Sequence, residues 1–216
     1  MMQNKTTKEG RVGAANKQLI LSAAEHEFAK NGLKGTRIQQ VADRAALPKT
    51  NVLYYFKSKE NLYLAVLEQI LEIWNSAFDN ATSDDDPADV LSHYIAEKME
   101  FSLTRPEASR IFALEIINGA PNLTGYFKKQ HIDWMHGRVA LVQSWIDQGK
   151  LDTDNAEYLL FHIWACCQHY ADFAAQITHL QGQEMGRVEF EKATKSLISL
   201  ILKGCGLNVP AKYTLA

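Results

Sequence analysis

Apolar residues in this chain recur three and four positions apart, and no stretch shows the alternation of a strand. The chain is therefore read as all-α, with about nine helices and no internal repeat or low-complexity segment. The first predicted helix covers about 14–30 and turns Leu19, Ile20, Ala23, Ala24 and Phe28 inward, with Asn31-Gly32 as its left-handed stop. Thr36 followed by Gln39 reads as a capping box, so a second helix starts near Arg37 and buries Ile38, Val41, Ala42 and Ala45. Ala46-Leu47-Pro48 ends it, because Pro48 cannot donate to the preceding turn. A short third helix can begin at that proline, about 48–56, and bury Val52, Leu53 and Phe56. Ahead of the first helix, residues 1–13 carry Lys5, Lys8 and Arg11 without any period. They read as a flexible basic arm, solvated in the free protein and able to order on DNA.

Ser58 caps a fourth helix of about 59–80, with Leu62, Val66, Gln69, Ile70, Ile73, Trp74, Ala77 and Phe78 along one side. Asp86-Pro87 supplies cap and first residue of a fifth helix, ending near Leu103. Thr104-Arg105-Pro106-Glu107 reads as a second capping box, opening a sixth helix that Gly119-Ala120-Pro121 stops. A seventh covers about 123–148. An eighth, about 154–180, is apolar nearly all round between Tyr158 and Phe173 and is expected to be buried on several sides. The ninth, about 187–205, carries Phe190, Thr194, Leu197, Ile198, Ile201 and Leu202. Two long final helices with wide apolar faces predict a four-helix interface between two subunits, hence a homodimer. The expected layout is an arm at 1–13, a helix-turn-helix domain at 14–58, and a ligand-binding and dimerisation domain at 59–216.

The third helix leaves Lys49, Thr50, Asn51, Tyr54 and Tyr55 outside, and Lys59 opens the next one. Thr36 and Arg37, at the start of the second helix, complete the set. Lysines neutralise phosphates, while hydroxyl and amide groups bond phosphates or base edges, and tyrosines bond phosphates or pack on thymine methyls. A short helix presented this way by a second one is the helix-turn-helix arrangement on double-stranded DNA. The plainer alternative is a helix pair that happens to be basic.

Charge separates the two readings. The chain's net charge is −2, yet residues 1–60 hold 11 Lys and Arg against 5 Asp and Glu, a net of +6 that leaves −8 on the rest. A basic N-terminal third on an acidic body is a local footprint for nucleic acid. Composition is otherwise that of an ordinary soluble protein, with 46% hydrophobic and 22% charged residues. No apolar run is long enough to span a membrane, and the N-terminus lacks a secretory core. The three cysteines, two of them adjacent, make no disulfide framework, and a reducing cytoplasmic setting is expected.

Gly35-Thr36, Ile38, Val41-Ala42, Ala45, Leu47, Lys49 and Tyr54 to Glu60 resemble the N-terminal signature of the TetR family of one-component repressors. The chain departs from that signature in the turn, with Ala46 for the usual glycine and Pro48 for the usual serine. The resemblance implies an operator that is an inverted repeat.

In the second domain, Trp164 and Gln168 lie four apart on the eighth helix and share a face. An aromatic wall beside a primary amide suits a small planar ligand with a lactam edge. Gln168 could equally cap a neighbouring helix or pair across a dimer. The stretches K-T-N-V-L-Y-Y-F-K-S-K-E-N-L-Y-L-A-V-L, Q-I-L-E-I-W, R-P-E-A-S-R-I-F, N-G-A-P and Q-H-Y-A-D-F-A are similar to the pyrimidine-utilisation (RutR-type) regulators of that family. That similarity implies uracil or thymine as effector, no cofactor, and pocket roles for Trp74, Trp164, Gln168 and Tyr170, with Lys98 a further candidate. Another planar effector is an alternative. A metal-responsive regulator is a further one, since His162, Cys166 and His169 have ligand spacing on one helix. No catalytic motif occurs; Glu97 and Glu100, or Glu115, could be paired acids, but nothing distinguishes them from a solvated face. The body is larger than a ligand-free DNA-binding protein requires.

Overall fold

The computed structural model describes residues 3–123, 125 and 131–214, with residues 3–11 described by their backbone alone. The described residues form ten α-helices and a short 3₁₀ turn at Ala211–Tyr213, with no strand among them. The helices are α1 (Gln3–Gly35), α2 (Ile38–Arg44), α3 (Lys49–Phe56), α4 (Lys59–Asp79) and α5 (Pro87–Thr104). They continue with α6 (Pro106–Ile117), α7 (Ile132–Asp147), α8 (Ala156–Asp172), α9 (Ala174–Gln181) and α10 (Arg187–Gly204). Two compact units result: Met1–Leu71 with Arg110–Leu123, and Glu72–Ser109 with Thr124–Ala216.

In the first unit, α1 is helical from Gln3, so the irregular segment expected at 1–13 is corrected for residues 3–13. They contain no proline to stop the helix growing backwards from Ala14. Ile20, Ala23, Ala24 and Phe28 are buried as expected, but Leu19 is 52% exposed. The inward stripe is set by Ile20, and its neighbour points about 100° away around the axis. Gly32 has φ 65°, the expected left-handed break, and one more turn follows it.

Thr36 is not a cap. Its hydroxyl is buried and donates to the carbonyls of Glu27 (3.0 Å) and Gly32 (2.8 Å). The reciprocal contact falls one residue later, where the Arg37 N–H donates to the Gln40 side chain at 2.7 Å. The buried carboxylate of Glu27 accepts from Arg44 Nε at 2.7 Å and Asn31 Nδ2 at 3.2 Å, pinning α2 to α1. Tyr63 of α4 packs edge-on against Phe28 and donates to Glu115, which also accepts from the backbone and side chain of Asn122.

Between α2 and α3 the chain reverses through Ala46 at φ 52°, with Leu47 N–H donating to Ala42 C=O. A left-handed alanine costs roughly 1–2 kcal/mol, against roughly 0.5–1 kcal/mol of extra chain entropy for glycine. Ala46→Gly should therefore stabilise the protein by roughly 0.5–1 kcal/mol. A higher midpoint in urea at unchanged slope is the expected result.

In the second unit, Asp86 caps α5 by accepting from Ala88 N–H, as its sequence predicts, but Thr104 does not cap α6. Its hydroxyl donates back to Glu100 C=O within α5. The eighth predicted helix is two helices, because the backbone leaves helical geometry at Phe173 (φ −111°, ψ 22°). α8 buries Leu159, Leu160, Ile163, Cys167 and Ala171, packed against α5. Its opposite side is exposed at Tyr158, Phe161 and Phe173, so burial on several sides does not hold within one chain. All three cysteines are free thiols.

Candidate nucleic-acid interface and effector site

α3 is held from beneath by Val52 and Phe56, both buried. Lys49 and Thr50 lie exposed in its first turn, Asn51 and Tyr55 are half-buried, and Tyr54 is 71% exposed. Leu53, expected inside, sits at the edge of the same face with 37% exposure. Tyr54 and Tyr55 pack edge-to-face, and Lys57 covers the Tyr54 ring while donating to its carbonyl. Arg37 is exposed and Thr36 is not; the hydroxyl of Thr36 serves the α1–α2 junction. Lys59 donates from its ammonium to the carbonyls of Lys34 (3.3 Å) and Thr36 (3.1 Å). An ammonium has three donors, so one remains for a phosphate.

The second unit brings Trp74, Lys98, Trp164 and neighbouring aromatic rings together. Trp74 (α4) is buried and meets Phe101 (α5) edge-on at 5.5 Å. The Lys98 ammonium lies 4.8 Å from the Trp74 ring centre and 5.3 Å from that of Tyr94. Trp164 (α8) donates from Nε1 to the Tyr94 hydroxyl at 2.7 Å and stacks on Trp134 (α7). Trp134 in turn donates to Asp79 at the end of α4. Gln168 is half-buried one turn on from Trp164, and makes no hydrogen bond among the described residues. Tyr170 packs on Phe190 of α10 and lies farther round α8.

Burial dominates the electrostatics here. It pushes the Lys98 amine down from its ordinary value to about 8 and the Cys167 thiol up to about 12. The Tyr94 and Tyr170 phenols are raised for the same reason, and His131 is lowered by burial and by Lys98. Tyr94, Phe101 and Trp134 went unmarked in the sequence. The first two share a face with Lys98 at spacings of four and three, a signal visible once Lys98 is taken as an anchor.

The metal arrangement is not formed. Among the described residues no three His, Cys, Asp or Glu side chains converge. His162 and His169 are two turns apart, about 10 Å along the axis, so one helix cannot close a shell around one ion. Of the candidate acids, Glu100 bonds Arg187 through two hydrogen bonds and Glu115 bonds Tyr63 and Asn122, while Glu97 is exposed. No helix among the described residues is long and apolar enough to cross a membrane.

Residues 20–66 match the model of the bacterial regulatory proteins of the tetR family, and residues 67–208 match the C-terminal region of YcdC-like proteins. The chain is 41% identical over 204 residues to the HTH-type transcriptional regulator RutR of Escherichia coli K12, covering 92% of this chain and 94% of that one. It is 33% identical over 116 residues to the HTH-type transcriptional repressor NicS of Pseudomonas putida, covering 53% of this chain and 55% of that one. The fold is shared with a transcriptional regulator from Rhodococcus sp. Rha1, at TM-score 0.63 and 20% identity over 90% of this chain and 99% of that one. With a recognition helix presented as such regulators require, and with the match extending through both units, the chain belongs to the TetR family of DNA-binding, helix-turn-helix transcriptional regulators.

Proposed function

We propose that this regulator works as a homodimer on an inverted-repeat operator and responds to uracil or thymine. The observation that carries the effector reading is the aromatic cluster in which the Lys98 amine lies over Trp74 and Tyr94 and Trp164 donates to Tyr94, with Gln168 one helical turn on from Trp164. Flat apolar walls with a few polar groups are what a small planar heterocycle needs. The choice of pyrimidine rests on the subfamily resemblance of the sequence. Thermal unfolding with a panel of bases is the test: uracil and thymine should raise the melting temperature in a concentration-dependent way, and adenine should not. A melting temperature indifferent to both pyrimidines would overturn the effector assignment.

Dimerisation is supported by the exposed Tyr158 and Phe161 of α8, Phe173 just beyond it and Leu200 of α10, large apolar groups that one chain leaves in water. Such a dimer should read two half-sites one helical turn of DNA apart, or a multiple of it. A monomer in sedimentation at micromolar concentration would sink this reading.

At the DNA, Lys59→Ala removes both the brace on Lys34 and Thr36 and the spare donor. Binding should weaken alike for all sequences, and the salt slope should fall by roughly one. Asn51→Ala should instead alter sequence preference. Salt-dependent titrations on operator and random DNA measure both.

A further inference from the structure

Hydrogen-bond donors outnumber acceptors in the aromatic enclosure. Lys98 is 6% exposed, and its ammonium has no hydrogen-bond or ion-pair partner among the described residues. It lies over the faces of Trp74 and Tyr94. Tyr94 is fully buried, and its oxygen is occupied by the Trp164 N–H, which leaves its own proton without an acceptor among the described residues. The Ser102 hydroxyl is already spent on Cys167 C=O. A buried charge or hydroxyl without a partner is unfavourable.

We infer that Lys98 and Tyr94 are specificity-determining donors, and that the site takes a planar ring through a carbonyl oxygen facing them. This rests on the effector reading above and narrows it. A ring with an exocyclic amino group in that place would set donor against donor and leave the Lys98 N–H groups and the Tyr94 O–H unpaired. Uracil and thymine satisfy the requirement, and 2,4-diaminopyrimidine, with amino groups in place of both carbonyls, does not. A site built to hydrogen-bond a ligand group rejects an analogue lacking it far more strongly than an apolar pocket rejects a change of shape.

Lys98→Met and Tyr94→Phe keep most of the volume and remove the donors. Calorimetry should show 2,4-diaminopyrimidine binding at least about 100-fold more weakly than uracil to the wild type, and Lys98→Met losing at least about 30-fold toward uracil. Tyr94→Phe should lose about tenfold. Raising the pH through 8 should weaken uracil binding to the wild type and leave Lys98→Met unchanged. The other titrating groups facing the amine are Tyr94 on its own helix, Cys167 on α8 and His131 ahead of α7. Tyr94 and Cys167 are shifted upward and His131 downward, away from this window.

A ligand-free measurement separates this inference from the choice of pyrimidine. If the ammonium is uncompensated, Lys98→Met should melt higher than wild type, by about 2–4 °C. The wild type alone should gain stability between pH 8 and the ordinary lysine value, because there the unfolded chain holds the extra proton. A variant that melts lower, or one that binds uracil as wild type does, overturns the inference. A stabilised Lys98→Met with a wild type that ignores every pyrimidine leaves the donor-rich site standing and removes the pyrimidine.

Discussion

Gln168→Leu is expected to abolish measurable uracil and thymine binding while operator affinity stays within about twofold of wild type. Leucine nearly matches the volume of glutamine but can neither accept nor donate. The Gln168 amide has no hydrogen-bond partner among the described residues, so its removal breaks no internal bond and folding should be intact. What it removes is a neutral amide one turn from Trp164 that can accept from a ring N–H while donating to the adjacent carbonyl. Losing such a pair from a water-poor site costs roughly 2–4 kcal/mol, enough to move micromolar binding beyond calorimetric detection. Calorimetry for the base and fluorescence anisotropy for the operator are the measurements. Undiminished uracil binding by the variant would take Gln168 out of the site.

Trp74 should have the second-largest effect, and on a different quantity. α4 runs without a break from Lys59 to Asp79, and Trp74 is its contribution to the enclosure. The helix end is gripped by α7, where Arg138 donates to Phe78 C=O at 2.6 Å and Trp134 to Asp79 at 2.6 Å. An effector can shift the protein between arrangements only by its difference in affinity for them. Reciprocity then requires operator DNA to weaken effector binding by the factor by which effector weakens operator binding, normally a coupling of roughly 1–3 kcal/mol. Trp74→Ala should reduce both affinity and coupling, since it removes a buried wall and the face that carries Lys98. Trp74→Phe should keep part of the affinity and lose coupling preferentially. Operator affinity with and without saturating uracil, for all three proteins, decides the matter. If Trp74→Phe releases operator as completely as wild type at saturation, Trp74 is a wall only and the signal travels elsewhere.

Much of this architecture can be read from the residues. Asp86-Pro87 announces α5 because cap chemistry is local, and Val52 and Phe56 announce the inner face of α3 because four-residue spacing is. Trp164 and Gln168 share a face for the same reason. The misreadings arise where a local pattern has a competing use. Thr36 matches a capping box, yet its hydroxyl is drawn to Glu27, nine residues back, which only the folded α1–α2 corner brings near. The break at Phe173 has no glycine or proline to mark it. An all-round apolar α8 cannot say which side its own chain covers. Tyr94 and Trp134 enter the site through Trp164, across 70 and 30 residues of sequence, beyond the reach of periodicity.

Ala46 has a mutational consequence. Alanine and glycine codons differ by a single base, so relief of the left-handed turn is one nucleotide away. A natural protein needs to stay above its stability threshold, not at its optimum, and the alanine leaves a small reserve unspent. That reserve should surface in a genetic screen. Starting from a regulator weakened within the helix-turn-helix unit, for example by Thr36→Val or Glu27→Gln, selection for restored operator binding should return Ala46→Gly as a recurrent second-site suppressor. It should rescue lesions throughout that unit without regard to which contact was lost, and it should leave variants of the recognition surface, such as Asn51→Ala, unrepaired.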